Sequence, residues 1–364
     1  MMQEMRIDTD LLGRLLDVPE NPEEGADWAL VRAARVRSWS LPALPLSALE
    51  NEGHQLGTGS RDELRRIRDR RGTYAGILVD VITAEPATRV IKGLALAELY
   101  PAGLVRPVGD LDLFVPDEAA LWRVVGAVVA RHPVQEIGVS LYGRTDRHML
   151  VSLLWPAADP ALEPSLKVEV CTAVFAGNRR DVGTRATVPE HPVIANLLAV
   201  AEERFQRPFE IKDVVDVIVA DRHCTGLIDQ IAAAAGQFHL APELSELLDL
   251  TRRHAEIGPL GEVADSLHDA VVRERRRRRE WTQPLVPTGV GEPARALMAG
   301  RPVGGLLLEE QRWHADMRES LLHPFDEGCL LRTPVGTYLL VDHEIVTHEL
   351  YERALVELER LERG

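Results

Sequence analysis

The stretch from Lys92 to Val115 reads Lys-Gly-Leu-Ala-Leu-Ala-Glu-Leu-Tyr-Pro-Ala-Gly-Leu-Val-Arg-Pro-Val-Gly-Asp-Leu-Asp-Leu-Phe-Val. At its C-terminal end Leu111, Leu113, Phe114 and Val115 are strand formers, so Asp110 and Asp112 stand two residues apart on one face of a strand. Two carboxylates so placed repel each other unless a cation joins them, and a hard divalent ion suits them best. At the N-terminal end, Thr88 to Ile91 is β-branched and apolar, Lys92-Gly93 makes a tight turn, and Leu94 to Tyr100 favours helix. Gly93 lets the backbone come close to a ligand, and the amides of Gly93 and Leu94 that open the helix can meet phosphate oxygens. Arg106 adds a guanidinium able to bond a phosphate.

Downstream, Pro116-Asp117 starts a helix running to about Arg131, followed by three strand-like runs at Val134 to Tyr142, His148 to Trp155 and Leu166 to Thr172. The third run carries one acid, Glu169, among apolar residues. Beside Asp110 and Asp112 it completes a set of three carboxylates able to hold two Mg2+ ions. Glu136, Asp146, Asp159 and Glu163 are substitutes for that third place, each in a turn or on a less apolar strand. His148, at the head of its strand, is a candidate contact to acceptor or nucleotide, or a structural histidine. Arg144 and Arg147 read equally as turn charges or phosphate contacts.

Helical periodicity returns from Pro189 to Asp221, with Ile194, Leu197, Leu198 and Ala201 on one face and Lys212-Asp213-Val214-Val215-Asp216 beyond. Lys212 can reach a polyphosphate, with Asp213 or Asp216 orienting it; the plain reading is an amphipathic helix with an exposed Lys-Asp pair. Of 42 lysines and arginines only Lys92, Lys167 and Lys212 are lysine. A lysine kept in an arginine background points to a need for a compact, flexible charge.

These residues resemble the nucleotidyltransferase-fold proteins of the DNA polymerase β superfamily. The carriers are Lys92-Gly93-Leu94-Ala95-Leu96, the spacer with Tyr100-Pro101 and Arg106-Pro107, and Gly109-Asp110-Leu111-Asp112-Leu113-Phe114-Val115. The similarity is strongest to a bacterial group of uncharacterised nucleotidyltransferases, with abortive-infection toxin nucleotidyltransferases as relatives, whose second motif Lys212-Asp213-x-x-Asp216 resembles. It covers roughly residues 60 to 220. The superfamily turn is usually Gly-Ser or Gly-Gly, and Gly93-Leu94 offers no hydroxyl. The third carboxylate is commonly an Asp within Asp-Leu-His, where this chain has Glu169-Val170-Cys171.

The resemblance implies an α+β fold, with a mixed β-sheet nucleotidyltransferase core, N-terminal helices and a C-terminal helical region. It implies Mg2+-dependent transfer of NMP from an NTP, ATP being the expected donor, with release of pyrophosphate. Asp110, Asp112 and Glu169 would bind two Mg2+ and do the catalysis; Lys92, Gly93, Leu94, Arg106, Lys212, Asp213 and His148 would bind the nucleotide. Members of the group accompany natural-product gene clusters, which points to a small-molecule, peptide or protein acceptor. Two other readings stand beside it: a catalytically inactive nucleotide- or partner-binding protein of the same fold, and a toxin acting on tRNA or protein.

The expected segments are a helical lead-in at 1–85, the core at 86–188, a helical domain at 189–300 and a terminal hairpin and helix at 301–364. In the lead-in, Pro42 and Pro45 break the helices and Ser60 serves as an N-cap. Residues 281–302 read as a linker, and 329–341 as a hairpin followed by an amphipathic helix that covers the site or forms a homodimer.

A net charge of −15 argues against a general nucleic-acid binder, although the Arg273 to Arg279 run leaves tRNA open as an acceptor. Cys171, Cys224 and Cys329 are scattered without a CxxC spacing, which fits a reducing cytoplasm. No apolar run approaches membrane-spanning length, so a cytoplasmic protein with no membrane partner is expected.

Overall fold

The computed structural model describes residues 7–19, 25–282, 291–310, 313, 319–326, 328–342 and 345–363. In chain order it begins with α1 (Thr9–Leu15), α2 (Ala26–Arg37), α3 (Ala43–Asn51), α4 (Thr58–Ala84), β1 (Arg89–Ile91), α5 (Gly93–Ala97) and β2 (Leu111–Phe114). Then come α6 (Glu118–Arg131), β3 (Glu136–Tyr142), β4 (His148–Trp155), β5 (Leu166–Cys171), α7 (Pro192–Glu202), a single 3-10 turn (Glu203–Phe205) and α8 (Ile211–Asp221). The rest is α9 (Ile228–Gln237), α10 (Ala241–Arg252), α11 (Pro259–Ser266), α12 (His268–Glu280), α13 (Glu292–Met298), β6 (Val303–Glu310), β7 (Leu321–Phe325), β8 (Gly328–Thr333), β9 (Gly336–Val341) and α14 (His348–Arg363). The fold is α+β, with one nine-stranded sheet in the order β1-β2-β5-β4-β3-β6-β9-β8-β7.

Contacts gather the chain into two compact units, one of 1–76, 90–111 and 189–279, the other of 77–89, 112–188 and 280–364. The first is helical. One of its cores joins Leu11, Leu12 and Leu15 of α1, Leu30 and Ala34 of α2 and Leu44 of α3 to Val214, Val215 and Ile218 of α8. A second joins Leu46 and Leu49 of α3 to Leu64 and Ile67 of α4 and to Val105. In α8 a capping box, Glu210 with Asp213, satisfies amides at the helix start.

The second unit is built on the sheet, where alternation decides which side chain faces where. Met149, Val151, Leu153 and Trp155 of β4 are buried, as are Leu166, Val168 and Val170 of β5, while the residues between them are only partly covered. From β5 outward to β7 every neighbouring pair is antiparallel. Asp117 caps α6, its Oδ1 accepting from the Ala120 amide at 2.7 Å.

Several expectations about the ends change. Pro42 and Pro45 do not interrupt a helix; they lie at the start of α3, where missing amides cost nothing. Helix α4 begins at Thr58, so Ser60 lies inside it and is not its cap. The expected linker contains α13, and its residues 283–290 lie outside the described ones. The terminal hairpin is not a separate cover. With β6 and β7 it extends the sheet, Leu141 of β3 pairing with Val303 of β6, so the four consecutive segments become two interleaved units. The apolar face of α14 that was read as a dimer contact packs within the chain, Ala354 and Leu358 burying against Leu330 and Leu339.

The arginine run on α12 is partly spent inside the molecule. Arg277 and Arg278 both bond Glu274, and Arg278 also bonds both oxygens of Glu243 and the His239 carbonyl. No described helix is long and apolar enough to cross a membrane.

Candidate metal and nucleotide site

The two aspartates lie at the head of β2: Asp110 just precedes the strand, and Asp112 occupies a partly covered position between buried Leu111 and Leu113. Glu169 occupies the matching kind of position on β5, between buried Val168 and Val170 and opposite Ser152 of β4. Pairing of the Val115 amide with the Cys171 carbonyl at 3.0 Å ties the end of one strand to the end of the other. Asp110, Asp112 and Glu169 each offer a carboxylate oxygen, these oxygens lie within 4.8 Å of one another, and all three residues are partly buried. Among the described residues this is the one group of three His, Cys, Asp or Glu side chains so arranged. Three hard anionic donors at that spacing fit Mg2+ or another hard divalent ion. The substitutes Glu136, Asp146, Asp159 and Glu163 do not join it.

The glycine turn is equally specific. A Cβ on Gly93 would stand 3.1 Å from the Asp110 carbonyl oxygen, so the turn packs directly on the backbone of a metal-ligand candidate and admits no side chain comfortably. Lys92, before it, has φ 55° and ψ −125°, a conformation that costs a non-glycine residue about 1–3 kcal/mol. Two contacts hold it there: its amide donates to Asn196 Oδ1 at 2.5 Å, and its ammonium pairs with Glu203. Asn196 in turn donates to the Pro192 carbonyl at 2.8 Å, which fixes its amide orientation on α7.

Arg106 is not available to a phosphate. The side chain is 3% exposed, and its Nε and Nη2 each bond one Asp216 oxygen at 2.7 Å, while Nη1 donates to the Gly93 and Pro107 carbonyls at 2.9 and 3.0 Å. Tyr100 adds its hydroxyl to Asp216 at 2.7 Å. Burial alone would lower the Arg106 pKa, but the Asp216 carboxylate beside it outweighs that and holds it above the usual arginine value. Arg106 therefore fixes the glycine turn from behind.

Asp213 is likewise corrected from nucleotide contact to structural anchor. It is buried, accepts from the Glu210 amide at 2.8 Å and forms a two-pronged pair with Arg207 at 2.7 and 3.1 Å. Lys212, partly exposed on the same helix, contributes to the field around Glu203. Burial raises the Glu203 pKa, yet Lys92 foremost, then Arg207 and Lys212, more than offset it and leave the carboxyl below its ordinary value. Three cations thus converge on one carboxylate next to the turn.

His148 opens β4 and lies on the same strand face as Ser152, roughly 13 Å along the strand from it. Its Nδ1 is 3.4 Å from Thr172 Oγ1 and its ring packs at 5.9 Å from that of Tyr142. Burial lowers its pKa, partly countered by Asp146. It is outside the carboxylate group. Lys167, two residues before Glu169 on β5, pairs with it at 2.7 Å. Glu203, Asn196 and Arg207 were not anticipated, although Asn196 is a lone amide on an otherwise apolar helix face. Neither the family models nor the curated proteins contain a match to this chain.

Proposed function

We propose that the protein is a nucleotidyltransferase of the polymerase β type, moving NMP from an NTP, ATP by expectation, to an acceptor hydroxyl. The observation that carries this is the convergence of Asp110, Asp112 and Glu169 with a glycine turn packed on the Asp110 backbone. Asp110, Asp112 and Glu169 would hold two Mg2+, which when bound neutralise the triphosphate and acidify the attacking hydroxyl. The acceptor oxygen forms a bond to the α-phosphorus as the bond to the β-phosphate oxygen breaks, and pyrophosphate leaves with that electron pair. Glu169 is placed to take the hydroxyl proton. Because α5 is only five residues long its dipole is small, so the phosphate charge falls to side chains. Lys92 and Lys212, both accessible at the rim of the turn and the head of α8, are suited to that, with the Gly93 and Leu94 amides accepting oxygens at close range.

One observation favours a second reading, an inactive nucleotide-binding protein of this fold: the Lys167 ammonium already neutralises Glu169 from within the chain. Four NTPs tested for Mg2+-dependent binding, followed by mass spectrometry of candidate acceptors for an added NMP, separate the two. Under the first reading pyrophosphate is released, and Asp110→Asn or Asp112→Asn lowers that rate by at least about a hundredfold. Nucleotide bound without turnover, and indifferent to those substitutions, would favour the second.

A further inference from the structure

We infer that Arg70 and Tyr74, on α4, are positioning residues for the Asp110 carboxylate, acting through the backbone of Gly109. The inference rests on the metal site proposed above. Arg70 is 4% exposed, and its Nη2 donates to the Gly109 carbonyl at 2.7 Å and to the Tyr74 hydroxyl at 3.0 Å. Tyr74, itself fully buried, donates its hydroxyl to the same carbonyl at 2.8 Å. Both lone pairs of one backbone oxygen are therefore met by donors one turn apart on a single helix. The guanidinium is held in turn by two rings, Trp39 at 5.1 Å and Tyr74 at 5.4 Å from its central carbon.

Burying a guanidinium to bond a neutral carbonyl is costly, and the location of that carbonyl explains the use. The Gly109 carbonyl and the Asp110 amide share one rigid peptide plane, so fixing the oxygen fixes the direction in which Asp110 leaves the backbone. The next peptide plane, carrying the Asp110 carbonyl, is blocked by Gly93. Asp110 is thus held on both sides. Gly109 would otherwise be the loose joint in this arrangement: a Cβ there meets nothing within 4 Å, so glycine is not required for space and contributes freedom that the two donors remove.

The test is Mn2+ binding to the full chain, read by electron paramagnetic resonance, with thermal unfolding measured alongside. Tyr74→Phe keeps the ring and removes one donor; it is expected to weaken Mn2+ binding by about two- to tenfold. Adding Gly109→Ala, which fits the open space, should recover most of that loss by stiffening the joint. A residue that merely fills the core would show no such rescue. Gly109→Ala alone is expected to bind Mn2+ at least as tightly as the parent, which keeps the inference testable if Tyr74→Phe fails to fold. Equal Mn2+ affinity in the parent and a folded Tyr74→Phe, or weaker binding by Gly109→Ala, overturns the positioning role while leaving the metal site standing. Absence of Mn2+ binding in the parent, unchanged by Asp112→Asn, removes the metal site and this inference with it.

Discussion

Two ion pairs flank the glycine turn, and their contrast separates scaffold from candidate chemistry. In the Arg106–Asp216 pair the side chains are 3% and 2% exposed, and the planar fork places four hydrogen bonds on Asp216 and two carbonyls. In the Lys92–Glu203 pair they are 27% and 17% exposed, and a single ammonium on a flexible stem meets a carboxylate shared with Arg207. The first pair is closed to any ligand and holds the turn in place. The second can exchange its carboxylate for a phosphate with little rearrangement, because an ammonium has no fixed fork to satisfy.

The largest expected effect breaks the first pair. Asp216→Asn leaves a buried guanidinium without its counter-charge, and the loss is about 3–5 kcal/mol of folding stability. Chemical denaturation of the purified variant measures it. A loss below 1 kcal/mol would place Arg106–Asp216 among ordinary surface pairs and erase the contrast.

Next come substitutions at Lys92, where stability and nucleotide binding are expected to part. Lys92→Met removes a charge-assisted bond to phosphate, weakening ATP binding by roughly ten- to a hundredfold, while the partly exposed pair contributes no more than about 1 kcal/mol to folding. Lys92→Gly loses the same cation but relieves the left-handed backbone, so it should be the more stable of the two by about 1 kcal/mol. Calorimetric titration with ATP beside thermal melts checks both at once; equal melting temperatures would remove the strain argument, and unchanged ATP affinity the phosphate contact.

Local patterns in the sequence account for what was legible. The bounds of β4 coincide with the expected run, and α6 starts one residue after its expected Asp117 cap, because alternation and capping act over a few neighbouring residues. Asp110, Asp112 and Glu169 were legible for the same reason, as acids alternating with buried aliphatics. Partners were not. Lys92 meets Asn196 and Glu203 across 104 and 111 residues of chain, and Arg106 meets Asp216 across 110, which no local period encodes. Strand β6 was missed because Val-Gly-Gly-Leu-Leu-Leu-Glu-Glu does not alternate; it is held as a strand by pairing with β3 and β9. Its place in the sheet is what turned an expected appendage into part of the same unit as the central strands.

The smallest effect comes from the carboxylate of the open pair. Because cations hold the Glu203 pKa below its ordinary value near 4.5, the unfolded chain takes up a proton there before the folded one does as pH falls. The stabilising contribution is therefore complete above about pH 4.5 and declines as the pH drops through the lowered folded value. Glu203→Gln removes that dependence, so the variant's stability should approach that of the parent in acid while falling short of it by less than about 1 kcal/mol at pH 7. The same substitution frees Lys92 from its internal anion, and ATP should then bind a few-fold more tightly, about 1 kcal/mol. Opposite signs for folding and ligand affinity are what an exchangeable ion pair requires; a loss in both would mean that Glu203 holds Lys92 in its working position, and the open pair would then resemble the closed one in purpose as well as in charge.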